Sequence, residues 1–190
     1  MNILSKKKNM GKVFESNFES SSKDSNIFTF RVRDVNPMAL KKAFMIPKNP
    51  YDTVLFNGSY LFTLELKSTQ SKSISHRGSN PQIKEHQIEG LKKASKFDNV
   101  ISGIVINFRE EENKTFFIHI DDYLTYDAVS KGELASPYEN KHNEKSIPLK
   151  IVEEIGIEIL NIKKRVHHQY FINDFISQAV SDYNRRKTFD

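Results

Sequence analysis

The amino-acid sequence predicts an α/β fold in which a mixed sheet is flanked by helices. The spacing of apolar residues predicts elements in the order α-β-β-β-α-β-β-α. An Asn-Gly pair at 57–58, between two β-rich runs, predicts a hairpin whose second strand leads into a crossover helix. The 190 residues include 14 Phe and 7 Tyr, enough for one buried core. We therefore expect a flexible basic arm over 1–10 and a single domain over 11–190, with a C-terminal helix starting near position 170.

Helices are predicted where apolar residues recur every three or four positions. In the first helix Val13, Phe14 and Phe18 form the apolar stripe, and Asp121 and Asp122 are the expected cap of the third. The last helix carries an apolar face that belongs either to the core or to a dimer interface, and its pattern does not distinguish the two. The expected helices cover 11–22, 82–97, 122–131, 149–155 and 170–184.

Strands are predicted from alternation or from short, continuous apolar runs. In FTFRVR the residues Phe28, Phe30 and Val32 alternate with polar ones, and VISGIVINF is apolar almost throughout, as in a strand buried on both faces. The segment 68–81 is rich in Ser, Lys and Gly, which predicts a loop. The expected strands cover 28–33, 52–56, 60–67, 100–108, 115–120 and 156–160.

The amino-acid composition excludes several kinds of site and partner. The absence of cysteine excludes disulfides and thiolate zinc sites. Every apolar run is far shorter than the ~20 residues of a membrane span, and there is no Gly-rich phosphate loop, so we expect neither a membrane partner nor a nucleotide cofactor. The net charge of +5 and the basic clusters at both ends are typical either of phosphate-binding arms or of solubilising charge. We expect a cytoplasmic protein.

The stretch YLFTLELKSTQSKSI (60–74) contains the candidate chemistry. Because side chains alternate along a strand, Glu65 and Lys67 lie on one face, and pairing across the hairpin places Asp52 near positions 63–65. Glu15 on the first helix can reach the same edge of the sheet. Carboxylate oxygens bind Mg²⁺, and a neighbouring lysine can orient or deprotonate water, or stabilise the charge that builds up in phosphodiester hydrolysis. The plain alternative is an ion pair on the protein surface.

Several cations near this stretch have two interpretations. Arg31 and Arg33 either bind a phosphate or line a solvated strand edge. Lys72 follows in the polar loop and either contacts a phosphate or belongs to a flexible segment. The candidate DNA-binding residues are Arg31, Arg33, Lys41, Lys42 and Lys72.

The motifs PYD (50–52) and ELK (65–67), in this order of elements, resemble the PD-(D/E)xK nuclease superfamily, whose fold is restriction-endonuclease-like. More narrowly, the chain resembles the RecU-type Holliday junction resolvases of low-GC Gram-positive bacteria and their phages. The resemblance covers about residues 11–160, and the interval 34–51 is shorter than the projecting stalk of the bacterial members, as in the phage versions. The matching segments are GKVFESNF, FTFRVRD, NPYDTVLFNGSYLFTLELKST, IKEHQIEGL, SGIVINFR and KSIPL.

The resemblance implies a homodimeric endonuclease that makes symmetric nicks in four-way DNA junctions with Mg²⁺ or Mn²⁺ and leaves 5′-phosphate ends. The first-helix carboxylate is Glu15 on the motif match, with Glu19 as the alternative. The implied metal ligands are Asp52, Glu65 and the backbone carbonyl of Leu66. The implied catalytic residues are Lys67, Glu65, Asp52, Glu15 and Gln87.

Two other functions stay open at this point. The first is a nuclease with the same chemistry that acts on another DNA substrate, such as a restriction-like site, a fork or a flap. The second is a non-catalytic protein that binds branched DNA in recombination. The clustered carboxylates argue against the second function, because they repel phosphate unless a cation is bound between them.

Overall fold

The computed structural model of the protein describes residues 9–32 and 49–189, and there the predicted order of elements is confirmed, with short additional strands. The helices are α1 (Met10–Asp24), α2 (Glu85–Ala94), α3 (Ile120–Ser130), α4 (Leu149–Ile155) and α5 (Ile172–Phe189). The strands are β1 (Phe28–Arg31), β2 (Thr53–Phe56), β3 (Leu61–Thr69), β4 (Ser73–Ser75), β5 (Val100–Phe108), β6 (Lys114–His119), β7 (Ser146–Pro148), β8 (Ile157–Glu158), β9 (Asn161–Lys163) and β10 (His168–Tyr170).

The central sheet is mixed and has six strands in the order β1-β2-β3-β5-β6-β8. Strands β3 and β5 are parallel, and α2 is the crossover between them, whereas the other neighbours in the sheet are antiparallel. Helices cover both faces of the sheet, so the predicted fold class is confirmed. The parallel pair brings the carboxyl ends of β3 and β5 to one edge, which is where ligands bind in many α/β proteins.

Two apolar clusters, one on each face of the sheet, hold the layers together. One cluster packs α1 and α5 on the sheet through residues such as Phe18, Leu64 and Phe175, which are essentially buried. The other packs α2, α3 and α4 on the opposite face. Helix α5 therefore belongs to the core, which answers the question that its apolar pattern left open. Phe171 falls in the range 170–184 expected for this helix, but it lies before the helix and is exposed.

The β2–β3 hairpin forms around the Asn-Gly pair, as predicted, but its loop is longer than the two-residue turn that this pair favours. Phe56 pairs with Leu61, and the side chain of Asn57 accepts hydrogen bonds from the backbone amides of Ser59 and Tyr60. Gly58 has a φ of +96°, a conformation that favours glycine. The resulting loop has four residues, and it fixes which residues of the two strands face each other.

The predicted loop over 68–81 is only partly a loop. Strand β3 continues to Thr69, and β4 pairs antiparallel with β7 in a separate two-stranded sheet. Ile74 is fully buried opposite Ile147 in this sheet. A single apolar residue between serines has no periodicity, so sequence patterns missed the strand.

The cap of α3 also differs from the prediction. The N-cap residue is His119, whose Nδ1 accepts a hydrogen bond from the backbone amide of Asp121 at 3.3 Å. Asp121 and Asp122 occupy the first turn of the helix instead, where their charge suits the helix dipole. The predicted cap residues therefore lie inside the helix rather than before it.

Cations near the C-terminus are paired with acids. Arg186 donates to both carboxylate oxygens of Asp122, at 2.9 and 2.8 Å, and Lys187 pairs with Asp98. Arg185 pairs with an aspartate three residues earlier. The contacts of Arg186 and Lys187 connect α5 to other parts of the domain, whereas Arg185 pairs within the helix. None of the helices among the described residues is both long and apolar enough to cross a membrane.

Candidate active site

Asp52 is held at the start of β2 by the neighbouring strand. Its backbone amide donates to the Leu64 carbonyl at 3.0 Å, and its carboxylate Oδ2 accepts the Leu66 amide at 2.9 Å. The Leu66 carbonyl lies two residues beyond the Leu64 carbonyl and therefore points toward the same edge of β3. Asp52 and the Leu66 backbone are thus brought together by hairpin geometry.

Glu65 is the buried acid of the site. Only 1% of its surface is exposed. Its Oε1 accepts from Lys67 Nζ at 2.7 Å and from the side-chain amide of Gln87. Its Oε2 is buried and has no hydrogen-bond partner. Burial, together with the nearby carboxylate of Asp52, raises the pKa of Glu65 to about 8.

Lys67 and Gln87 approach Glu65 from two different elements. Lys67 follows Glu65 by two residues on β3 and is 18% exposed, so its ammonium lies at the mouth of the site. Gln87 lies in the first turn of α2, where its Oε1 accepts the Lys84 backbone amide at 3.0 Å. This bond leaves the amide nitrogen of Gln87 to donate to Glu65, so the start of α2 orients the acid.

The first helix adds a second carboxylate to the site. Glu15 forms an ion pair with Arg31 of β1. Burial raises the pKa of Glu15, with Arg31 lowering it and Asp52 raising it, so these charges are close enough to interact. Glu19 lies one turn further along, 2.7 Å from Lys23 and 3.8 Å from the Arg31 guanidinium. Glu15 is therefore close enough to Asp52 for the two charges to affect each other.

The predicted DNA-binding residues are only partly described. Arg31 is engaged with the carboxylates of α1, and Lys72 is largely exposed with its ammonium 3.4 Å from Glu111. Their contacts with DNA remain a prediction. The candidates that lie outside the described residues are Arg33, Lys41 and Lys42.

Sequence reasoning missed a polar connection that starts directly after Lys67. Arg109 follows β5 and donates to the Ser68 hydroxyl at 3.0 Å, and that hydroxyl donates to Asn107 at 2.9 Å. Arg109 forms no ion pair with any residue in the described part of the chain. The available signal was an arginine directly after a buried strand that runs parallel to the strand of Lys67.

The donor set fits a hard divalent cation. The carboxylate of Asp52, the partnerless Oε2 of Glu65 and the Leu66 carbonyl are oxygens of the kind that Mg²⁺ prefers. Among residues 9–32 and 49–189, no group of three or more His, Asp or Glu side chains is placed to hold a metal by itself. Mg²⁺ usually binds one or two protein carboxylates and completes its shell with water and phosphate oxygens, so two carboxylates and a carbonyl suffice.

Gly90 lets α2 approach the segment that presents Asp52. A Cβ at Gly90 would lie 2.4 Å from the Pro50 Cβ and 2.9 Å from its carbonyl oxygen. We expect Gly90→Ala to lower the free energy of unfolding by about 1–3 kcal/mol, because the helix must move away. It should also slow any reaction that needs Asp52 and Gln87 together. Urea denaturation measures the first effect. The control is Glu89→Ala, a substitution of an exposed neighbour. If Gly90→Ala left the free energy of unfolding unchanged, the close contact between Gly90 and Pro50 would be contradicted.

Comparisons with known proteins show what the chain is similar to in sequence and in structure. The chain is similar to the SPbeta prophage-derived uncharacterized protein YotM of Bacillus subtilis (strain 168), with 46% identity over 178 residues, covering 94% of this chain and 90% of that protein. No family model matches the chain. A solved structure of Hjc from Archaeoglobus fulgidus, a Holliday junction resolvase from an archaeal hyperthermophile, has a TM-score of 0.49 and 13% identity, covering 78% of this chain and 95% of that chain. The match with the prophage-derived protein extends over nearly the whole domain.

Proposed function

The chain belongs to the family of the SPbeta prophage-derived protein YotM, and we propose that it is a metal-dependent DNA endonuclease that resolves four-way (Holliday) junctions by paired symmetric nicks. One observation carries the proposal. Asp52 and Glu65 converge from two strands with Lys67 beside them, and Glu65 keeps a buried oxygen without a partner. A buried, unpaired carboxylate oxygen is costly to a fold, so a use for it as a cation ligand explains its presence.

Asp52, Glu65 and the Leu66 carbonyl would hold Mg²⁺, for which Mn²⁺ can substitute. When bound, the cation lowers the pKa of water and neutralises charge on the phosphodiester. Glu65 must lose its proton to become a ligand, and Lys67 and Gln87 both stabilise the ionised form through their bonds to its Oε1. The site therefore supplies one cationic and one neutral hydrogen-bond donor to the buried carboxylate.

The residues of the chain have separable roles in the proposed hydrolysis. The Lys67 ammonium lies at the mouth of the site, where it can orient the attacking water or stabilise the charge that develops on the phosphate. Glu15 of α1 is close to Asp52 and pairs with Arg31, so it adds a carboxylate to the site and holds Arg31 beside it. Attack of water on phosphorus with departure of the 3′-oxygen leaves a 5′-phosphate and a 3′-hydroxyl.

The choice of a junction as substrate rests on the sequence resemblance to RecU-type resolvases, in their shorter phage form. The prophage origin of the relative agrees with a role in phage recombination inside a bacterial cell, in the cytoplasm. Paired nicks require two sites, so the proposal includes a homodimer. The same chemistry on forks, flaps or restriction-like sites remains the second candidate, because the substrate is selected by surfaces other than the catalytic residues.

The proposal is tested by cleavage of a labelled four-way junction beside linear duplex, flap and fork DNA, with Mg²⁺, with Mn²⁺ and with EDTA. We expect symmetric nicks in the junction only, and none in EDTA. Cutting of all substrates would retain the nuclease and overturn the junction preference. Tight junction binding without cutting under either metal would favour the non-catalytic branched-DNA protein.

A further inference from the structure

Strands β9 and β10 form a two-stranded hairpin outside the central sheet, Asn161–Tyr170, which we call the basic hairpin. Its tip is closed by a hydrogen bond from the Lys164 amide to the His167 carbonyl at 2.8 Å, and Val166 at the tip is 81% exposed. The positions from 162 to 167 are exposed. The basic hairpin therefore extends from the domain as a cationic arm.

The tip cations have no counter-charges within the described part of the chain. Lys163, Lys164 and Arg165 are adjacent, and none of them forms an ion pair with a described residue. The three basic residues Arg185, Arg186 and Lys187 of α5, by contrast, all pair with aspartates. Adjacent unpaired cations repel one another, so this arrangement favours an anionic partner in solution.

A chain of hydrogen bonds connects the basic hairpin to the catalytic strand. Ser68, the neighbour of Lys67, donates to the Asn107 side chain at 2.9 Å, and Asn107 donates to the Asn113 side chain at 2.9 Å. Asn113 in turn donates to the Asn161 side chain at 2.9 Å and to the Tyr170 hydroxyl at 3.1 Å. Asn107 is 1% exposed, and satisfied polar networks of this kind hold their elements rigidly.

Helix α1 fixes the other side of the basic hairpin. The Tyr170 amide donates to the Ser21 hydroxyl at 2.9 Å, and the Tyr170 ring lies 5.7 Å from that of Phe14, the residue before Glu15. Between the hairpin and β5 lies a cleft of about 380 Å³, lined in part by Arg109. With about 3.3 Å per residue, the tip reaches on the order of 10 Å beyond Tyr170. The cleft is also lined by Glu110, so the unpaired cations lie at two places, Arg109 at the wall of the cleft and the three residues at the tip of the basic hairpin.

We infer that the basic hairpin binds the phosphate backbone of a duplex DNA arm that flanks the cleaved phosphodiester, an inference that rests on the proposed function. Phosphate contacts position a duplex without reading its sequence. The basic hairpin is rigidly linked to the strand of Lys67, so binding there sets the distance between the duplex arm and the active site. The basic hairpin contacts a duplex arm rather than the branch point. It should therefore contribute equally to the binding of junctions and of linear duplex DNA.

The test is the salt dependence of DNA binding, measured by fluorescence anisotropy in EDTA on a labelled linear duplex and a labelled four-way junction. The variant combines Lys163→Ala, Lys164→Ala and Arg165→Ala. We expect weaker binding and a plot of log K against log salt that is shallower by about 2–3, because each lost phosphate contact removes about 0.9 from the slope. The change should be the same on both DNAs.

The matched control removes three exposed cations at the C-terminal end of α2 and just beyond it, on the opposite face of the sheet: Lys92→Ala, Lys93→Ala and Lys96→Ala. An unchanged slope for the control supports a specific role of the basic hairpin, whereas equal losses in the two variants would show a general charge effect and overturn it. An unchanged slope for the hairpin variant would also overturn the inference that the basic hairpin binds duplex DNA. Wild-type protein that binds with the expected slopes but cuts no DNA would refute the proposed nuclease and leave hairpin binding intact.

Discussion

Lys67→Ala is expected to lower the rate of DNA cleavage by about 10³-fold, the usual effect of removing one group that stabilises transition-state charge or transfers a proton. The expectation follows from position: Lys67 Nζ lies 2.7 Å from Glu65 Oε1 and remains partly exposed at the mouth of the site. DNA binding depends on many phosphate contacts, so the affinity measured in EDTA should be nearly unchanged. Single-turnover cleavage of the labelled junction in Mg²⁺ measures the effect on chemistry.

The control for this variant is Lys23→Ala. Lys23 lies on α1, is largely exposed and pairs with Glu19 rather than with a residue of the proposed site. Exposed pairs of this kind contribute about 0.2–1 kcal/mol to stability, so cleavage by the control should equal that of the wild type. A Lys67→Ala protein that still cuts at the wild-type rate would remove Lys67 from the mechanism, whatever its effect on binding.

Glu65→Gln is expected to abolish cleavage and, without metal, to stabilise the protein at alkaline pH. A glutamine has the same shape as glutamate but is a neutral and weak ligand for Mg²⁺, so cation binding is lost. The stability effect follows from the pKa of Glu65, which rises in the folded protein from its ordinary 4.5 to about 8. Opposite effects of one substitution on activity and stability are the signature of a buried acid kept for function.

The direction of the pH dependence is fixed by proton linkage. Between pH 4.5 and 8 the folded, metal-free protein keeps a proton on Glu65 that the unfolded chain releases. The proton on Glu65 therefore contributes its full stabilisation below pH 4.5. This contribution to the free energy of unfolding is lost as the pH rises through 8. A tenfold change in proton affinity corresponds to about 1.4 kcal/mol, so the loss of stability amounts to a few kcal/mol. Glu65→Gln should lack this loss.

The measurement is urea denaturation of both proteins in EDTA between about pH 6.5 and 8.5. This window runs from the ordinary pKa of histidine to just above the pKa of Glu65 in the folded protein. His76, whose pKa burial lowers to about 4, destabilises the fold only below its ordinary pKa of 6.5, outside that window. Mg²⁺ should stabilise the wild type more at the alkaline end, because binding then displaces fewer protons, and should not stabilise Glu65→Gln. Parallel pH profiles for the two proteins would show that Glu65 is not the buried titrating acid.

Local patterns predicted those features of the fold that depend on neighbours in sequence. The alternation in YLFTLELK predicts that Glu65 and Lys67 share a face, and the Asn-Gly pair marks the hairpin that brings Asp52 beside β3. Strand β4 was missed because Ile74 is stabilised by Ile147, more than 70 positions away, and no local signal announces such a pair. The α3 cap was mispredicted because His119 takes a role that aspartate usually fills.

Patterns in the chain alone thus predicted the order of elements, the position of the hairpin and the acids and cations that it presents. These follow from strand alternation and turn geometry, which act over a few residues. The folded arrangement was needed to show that the charges of Glu15 and Asp52 interact and that Glu65 has a buried oxygen without a partner. It alone also revealed the amide network that links the catalytic strand to the basic hairpin. Burial and charge proximity arise from packing between distant segments, and no local pattern in the chain encodes them.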